Sequence, residues 1–347
     1  MKILGIESSA DDTGAAIVED GHRLLSNAKA TSLDLHVFYG GIVPEIAARS
    51  HIEVIIPVIK QALDDANCAW DDIDAIAVTQ GPGLIGSLLI GVMTARTLAI
   101  VKRKPLIPIN HVLAHTAANY LTETKLEGYE LAGAPEFPFI SLTVSGGHSQ
   151  VVLYKSHIDY NILGQTRDDA VGEAYDKVAK ILGLPYPGGP SVEKAAKNGN
   201  PNAVKLPIAK LDSPFDFSFS GLKTATLRAA QELSGHDYTF PSYELPDALT
   251  DQQKNDLAAS FEKTAVQTLV RAAQKAEEKY QPRNVVLAGG VAASQPLREA
   301  LRTNLKTPLL CPDIKLCTDN AAMIATAAFY QQDMVANPYR LAVIPSF

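Results

Sequence analysis

Cysteine is scarce in this 347-residue chain: Cys68, Cys311 and Cys317 form an odd, scattered set. Such a set is a poor disulfide framework and hints at a reducing compartment. No uninterrupted run of 18 apolar residues is present. The closest, residues 84–100, is broken by Arg96 and rich in glycine and threonine, so it reads as a buried helix rather than a membrane span. The opening MKILGIESSADD meets acids where a signal peptide has its apolar region, so the expectation is the cytoplasm, with no membrane association. GxxxxGK[ST] and HExxH are absent, and neither Gly-Gly turn, at 146–147 or at 289–290, fits GxGxxG. P-loop ATP hydrolysis, the common zinc-protease site and Rossmann dinucleotide binding at those turns therefore lose support. The formal net charge of -7 argues against a broad nonspecific hold on nucleic acid, though not against a local basic patch. With 46% apolar and 20% charged residues, an ordinary globular composition remains. The length allows one large or two medium domains.

The order of patterns predicts two related domains. Residues 2–7 read as a strand, 8–12 as a polar turn and 13–19 as a second strand. Asp20-Gly21 is a hairpin turn, and a third strand follows near 24–32. The pattern recurs: strand 139–144, turn 145–148, strand 149–154, and a third near 158–163. Between the two openings lie a helix over 44–66 that Pro57 kinks or splits, a strand at 73–79 and a helix at 84–101. A short strand at 106–109 then leads into a helix at 110–120. Such alternation predicts open α/β sheets. Later, 172–182, 222–233 and 251–280 read as helices, 186–190 as a rigid turn and 198–219 as an irregular insertion. The strand 284–288 runs into Gly289-Gly290, and a small-residue helix spans 321–330. The expected domains are 1–110, completed by a C-terminal helix at about 321–347, and 111–320 with a helical insertion at about 190–280.

Five segments carry chemistry. Ser8, Ser9 and the backbone amides of the first turn can cradle phosphate. Asp11 and Asp12 beside them can hold a cation, orient water or position an amine, or simply form a solvated turn. Val144-Ser145-Gly146-Gly147-His148 and Gly289-Gly290 permit close backbone approach at strand ends, as phosphate or ribose sites require. His111 and His115 are i,i+4 on one helical face and can point at one metal, zinc or iron. A carboxylate must complete that set, and Asp319 is the choice, although its place before a helix also suits an N-cap. In Asp168-Asp169-Ala170-Val171-Gly172-Glu173-Ala174-Tyr175-Asp176, the acids Asp169, Glu173 and Asp176 recur at helical spacing. One of them can hold ribose hydroxyls, while Gly188-Gly189 closes over the same nucleoside. Acids also favour a helix's first turn for electrostatic reasons alone.

Together these segments are similar to the bacterial TsaD family, the tRNA adenosine threonylcarbamoyltransferases formerly described as O-sialoglycoprotein endopeptidases. The pieces that carry the resemblance are GIESSADDTGAAIV, YGGIVPEIAARSH, TQGPGLIGSLLIG, NHVLAH, VSGGHSQ, DDAVGEAYDKVAKILGLPYPGGP, FSFSGLKTA, VLAGGVAAS and CTDNAAMIA. They run in order over nearly the whole chain. The resemblance implies the two-domain actin, sugar-kinase and heat-shock ATPase (ASKHA) fold, with duplicated ribonuclease H-like domains around a nucleotide cleft. It implies transfer of threonylcarbamoyl from threonylcarbamoyl-AMP to N6 of adenosine 37 in tRNAs reading codons that begin with A, with release of AMP. It implies one divalent metal per subunit on His111, His115 and Asp319, with Fe2+ expected and Zn2+ the alternative. Substrate contacts fall on the 144–148 loop, Asp176 and Gly189, with Ser9, Gly289, Gly290 and Ser294 as further nucleotide contacts. The implied partners are tRNA, a TsaB-like paralogue and a TsaE-like ATPase.

Departures from the family pattern fall in the first and the eighth of these pieces. Its usual ETSCDET is here ESSADDT, so Ala10 replaces the cysteine and Asp12 the glutamate. Ser294 stands where the family has an asparagine, keeping hydrogen bonding but losing reach. Asp11 is the candidate for handling the N6 proton, with Asp12 beside it. Candidate tRNA contacts are Arg49, Arg96, Lys102, Arg103, Lys104, Lys223 and Arg228. The stripe Ile46, Ile55, Ile56 and Ile59 suits either a partner or the chain's own core. A small-molecule kinase of the same fold, a metalloprotease and a noncatalytic scaffold remain as alternatives.

Overall fold

The computed structural model describes residues 1–346, which separate into two compact units. The first comprises Met1–Glu136 and the segment from Leu310 onward; the second comprises Phe137–Leu309. In the first unit, β1 (Lys2–Glu7), β2 (Asp12–Glu19) and β3 (Arg23–Thr31) form an antiparallel meander. Asp20 and Gly21, both at positive φ, make the β2–β3 hairpin turn. α1 (Leu33–Val37) and α2 (Pro44–Asp65) follow. Next come β4 (Ala75–Gly81), α3 (Ile85–Lys102), β5 (Leu106–Asn110), α4 (His111–Ala117) and β6 (Glu123–Thr124). The sheet order is β5-β4-β1-β2-β3-β6.

In the second unit, β7 (Phe139–Val144), β8 (Ser149–Tyr154) and β9 (Tyr160–Gln165) repeat the meander. α5 (Val171–Leu182), α6 (Gly188–Ala196), α7 (Ser220–Leu233), α8 (Leu245–Ala248) and α9 (Asp251–Tyr280) precede β10 (Asn284–Ala288). α10 (Gln295–Asn304) and β11 (Leu309–Leu310) close the unit. Its sheet order, β11-β10-β7-β8-β9, matches the first five strands of the other sheet. The chain then enters α11 (Ala321–Phe329) of the first unit.

Small residues place α11. Gly5 and Gly14 leave no room on their outer side: a Cβ on Gly5 would meet the Ala321 carbonyl oxygen at 2.3 Å. Helix backbone therefore lies directly on β1 and β2, and every residue from Ala321 to Ala328 is buried. Such a helix, apolar all round, belongs in a core. The other face of the sheet packs Leu4, Ile6, Ile17 and Val78 against Ile55, Ile59, Val92 and Ala95.

Several sequence expectations change. α2 runs through Pro57 as one helix. Residues 188–190, read as a rigid turn, form the first turn of α6. The unit boundary falls at 136/137 and 309/310 rather than at 110/111 and 320/321. β6 pairs with β3 and Tyr120 packs on Tyr330, and these contacts tie 111–136 to the first unit. α3 is long and apolar enough to cross a membrane by length and composition. Only one of its faces is buried, through Leu88, Val92, Ala95 and Ala99. Ile85, Leu89 and Met93 remain exposed.

Candidate metal centre and glycine turns

The first unit gathers two histidines and an aspartate. Asn110 caps α4 by accepting from the amides of Val112 and Leu113 at 2.9 and 3.2 Å, so the helix begins at His111. One turn later comes His115, and the two rings lie 4.8 Å apart, edge to face. Asp319 sits just before α11, whose N-cap is Asn320. Asp319 is thus free of the capping role its position suggested. Its Oδ1 lies 3.5 Å from His111 Nε2 and 3.4 Å from His115 Nε2. The three ligand atoms lie within 4.8 Å of one another. His115 is buried, and neither of its ring nitrogens makes a hydrogen bond. Buried polar atoms normally have partners. Two imidazoles and a carboxylate with nitrogens left over are a donor set that fits a divalent metal ion.

Glu7 orients this group, a role the sequence did not reveal. It ends β1 with no exposed surface. Its Oε1 accepts from the Ser9 amide at 2.6 Å, and its Oε2 from the Thr79 hydroxyl at 2.5 Å. Oε2 also meets His111 Nδ1 at 3.2 Å, as does Ser9 Oγ. A proton held on Nδ1 leaves Nε2 directed at Asp319, the usual way a second carboxylate fixes a ligating histidine.

Charge dominates here. Burial opposes ionisation of Glu7, but His111 outweighs it and holds the carboxyl below its ordinary range. Asp319 behaves alike: burial resists its charge, and His111 pulls its pKa well down. For His111 burial acts downward, while Glu7 and then Asp319 push it up to about 9. Asp11 differs: burial first, then Asp12 and Asp319, raise its pKa. Asp12 is also raised by burial, against Lys29, which pairs with it at 2.5 Å. Lys29 reaches on to Thr318 Oγ1 and the Asp319 carbonyl, both at 3.2 Å. Asp12 is therefore engaged in an ion pair that ties β2 to the segment carrying Asp319.

The second unit gathers the glycine turns. Ser145 and His148 close a tight loop between β7 and β8, with the Ser145 amide donating to the His148 carbonyl at 2.7 Å. β10 lies parallel to β7, so Gly289 arrives at the same end of the sheet as Val144. Gly289 has φ +90, and a Cβ there would meet the Val144 carbonyl oxygen at 2.3 Å. Both reasons demand glycine. Gly146 and Gly147 are not at positive φ; like Gly189 and Gly290, they simply leave open space. Asp176 Oδ1 accepts from the Gly188 amide at 2.7 Å, fixing α6 beside α5. Burial raises its pKa. Ser294 Oγ caps α10 through the Leu297 amide at 3.5 Å.

Several acids and bases have structural partners instead. Asp168 accepts from the amides of Phe219 and Ser220 and from Ser218 Oγ, holding the start of α7. Asp169 bridges Lys177 and Lys223 at 2.8 and 3.0 Å. Arg96 donates to the carbonyls of Pro338, Tyr339 and Leu341, so its guanidinium holds the 338–341 segment rather than RNA.

The repeated sheet plan is that of the actin, sugar-kinase and heat-shock ATPase fold. Full-length HypF in its phosphate- and nucleotide-bound form matches with a TM-score of 0.58 and 12% identity, covering 97% of this chain and 47% of that chain. Component A of the Acidaminococcus fermentans (R)-2-hydroxyglutaryl-CoA dehydratase matches with a TM-score of 0.50 and 14% identity, covering 96% and 99%. At such identities the likeness concerns the fold alone. Sequence comparison goes further. The profile of the TsaD family, described as tRNA N6-adenosine threonylcarbamoyltransferase, matches residues 23–326. A relative of that description from Symbiobacterium thermophilum is 50% identical over 331 residues, 94% of this chain and 91% of its own length. Another from Thermomicrobium roseum is 48% identical over 337 residues, 95% and 92% of the two chains. The chain belongs to the TsaD family of acyltransferases.

Proposed function

We infer that this chain, a tRNA-modifying acyltransferase by its family, moves threonylcarbamoyl from threonylcarbamoyl-AMP to N6 of adenosine 37 in tRNAs reading codons that begin with A. The observation that carries the reading is the His111, His115 and Asp319 group with its unbonded imidazole nitrogens. These residues would hold one divalent ion, with Fe2+ proposed over Zn2+. Such an ion supplies positive charge for the threonyl carboxylate and hydroxyl and polarises the carbamoyl oxygen. Glu7 keeps His111 in the ligating orientation. Asp11, with its raised pKa, is suited to accept the N6 proton as the amine attacks. Asp12 anchors through Lys29. In the second unit, amides of the 145–148 loop and of Gly289-Gly290 receive the AMP phosphate, while Asp176 and Gly189 receive its ribose. The amine of adenine is a weak nucleophile, so holding it in line supplies much of the acceleration. A kinase or a protease gives this metal group no comparable task, and Val112 stands where a zinc protease has its glutamate.

A TsaB-like partner docks, in this proposal, on the outer faces of α2 and α3. Ile55 and Ile59 of the predicted stripe are core, but Ile52 and Ile56 face outward, as do Ile85, Leu89 and Met93. A TsaE-like ATPase completes the set, and tRNA as substrate places the work in the cytoplasm. The test is 14C-threonine incorporation into unmodified tRNA by the purified chain with partners, synthase, bicarbonate and ATP. Incorporation that disappears with His111→Ala is expected. No incorporation, with the other components proven on a known transferase, overturns the proposal.

A further inference from the structure

Two histidines that the proposed chemistry does not use are wholly buried beside the acidic turn: His36 on α1 and His51 on α2. His51 Nε2 lies 3.0 Å from the Ala10 carbonyl oxygen, and its Nδ1 lies 2.7 Å from Thr13 Oγ1. A carbonyl only accepts, so Nε2 carries the proton and Nδ1 accepts from the Thr13 hydroxyl. Burial lowers the pKa of His51, which keeps the ring neutral and this tautomer in place. From α3, Ser87 Oγ donates to the same carbonyl at 3.0 Å. Two helices therefore fill both lone pairs of one oxygen. His36 works one residue further along. Its Nδ1 accepts from the Val43 amide, its Nε2 faces Ser32 Oγ at 3.1 Å, and that hydroxyl donates to the Asp11 carbonyl at 2.9 Å. The Ser32 amide adds a second donor at 3.1 Å. Consecutive carbonyls of the turn are thus each held by two donors from outside it.

We propose that His51 is a positioning residue for the transfer: by holding the Ala10 carbonyl it sets the plane of the Ala10–Asp11 peptide, and so the direction of the Asp11 carboxyl. The peptide is rigid, so fixing its oxygen fixes the bond that leads to the Asp11 Cα. A side chain kept for packing alone would need neither a fixed tautomer nor a polar partner on each nitrogen, and an aliphatic residue would serve. The assignment rests on the reading of Asp11 as the group that meets the N6 amine.

The experiment compares His51→Leu and His51→Gln with the unaltered chain in the complete reconstituted system. It measures kcat, KM for threonylcarbamoyl-AMP and bound metal, together with hydrogen exchange of amides 10–14. His51→Leu should lower kcat by roughly 10-fold or more, since small misplacements of reacting groups cost up to about 100-fold. KM and metal content should hold, and the turn amides should exchange faster. His51→Gln, whose Nε2 can reach the same carbonyl, should recover most of kcat. A His51→Leu protein with kcat within about twofold of the original, at equal folded fraction, overturns the proposal. If His51→Leu does not fold, Ser87→Ala deletes the other donor with little change of volume. It should lower kcat about threefold, a loss of one neutral hydrogen bond, with a fall in Tm of the size one such bond carries; unchanged kcat overturns the proposal. Faster turn exchange alongside an unaltered chain that transfers nothing counts against the transfer reading and leaves the positioning role standing. Unchanged exchange counts against the positioning role.

Discussion

The two units share a strand order but equip it differently. In the first, the functional end of the sheet is filled: Glu7, His111, His115 and Asp319 lie side by side, and Ser87 and His51 close on the turn from behind. In the second, the same end is left open. Around Gly146, Gly147, Gly189 and Gly290 an added Cβ would touch nothing within 4 Å. One unit presents charged side chains that hold each other in place, the other open space around its glycines. Under the proposed function the duplicated fold divides labour, with chemistry on one copy and ligand reception on the other.

The largest test of that contrast removes charge from the filled site. Asp319→Asn should take bound metal from about one ion per chain to near none, and transfer should fall more than about 100-fold. Elemental analysis and 14C-threonine incorporation measure the two. Full metal with full activity would break the contrast from the first unit's side.

Next come two adjacent glycines of the second unit. Gly289→Ala forces a side chain into positive φ and onto the Val144 carbonyl, costing about 3 kcal/mol or more in urea unfolding. Gly290→Ala meets open space, so stability should change by less than about 0.5 kcal/mol. Its KM for threonylcarbamoyl-AMP should nevertheless rise, by roughly tenfold for one obstructed phosphate contact. An unchanged KM would mean that the open end of the second unit is not where the nucleotide goes.

The smallest effect concerns a charge the second unit leaves uncompensated. Glu262 on α9 is half-buried, and its Oε1 lacks a hydrogen bond. Burial, then Glu193, pushes its pKa up to about 7, against a weaker pull from Lys197. The folded chain holds this proton more tightly than the unfolded chain does. Stability from Glu262 is therefore present at acid pH and lost as pH rises from about 4.5 through about 7. Discounted for its exposure, the loss is about 1–2 kcal/mol between pH 5 and 8. Glu262→Gln should flatten that slope in thermal unfolding; an unaltered slope would place the titration elsewhere.

Much of this was legible in the chain itself. The alternation of residues 2–19 and the Asp20-Gly21 turn announce a hairpin, and its echo at 139–154 announces the second unit, because strand pattern and turn chemistry are local. His111 and His115 reveal themselves by helical spacing. What escaped depends on distant partners. Glu7 reads as the polar end of a strand until Thr79 and His111 arrive to bury it. Arg96 reads as a free cation until the 338–341 carbonyls claim it. Asp169 reads as a candidate for the ribose until Lys177 and the distant Lys223 claim it. The unit boundary escaped for the same reason: 111–136 joins the first unit through β3 and Tyr330, contacts that no local pattern announces.

The seating of α11 on Gly5 and Gly14 has a consequence in time. The two histidines precede residues 137–309, the whole of the second unit, while Asp319 follows them. At about 5–20 residues per second, a ribosome needs roughly 10–40 s to travel from His115 to Asp319. Throughout that interval the nascent first unit has its imidazoles but neither the third ligand nor the helix that covers its sheet. The candidate metal site is thus assembled among the last parts of the chain, and an ion held by all three residues would certify that both units have been made.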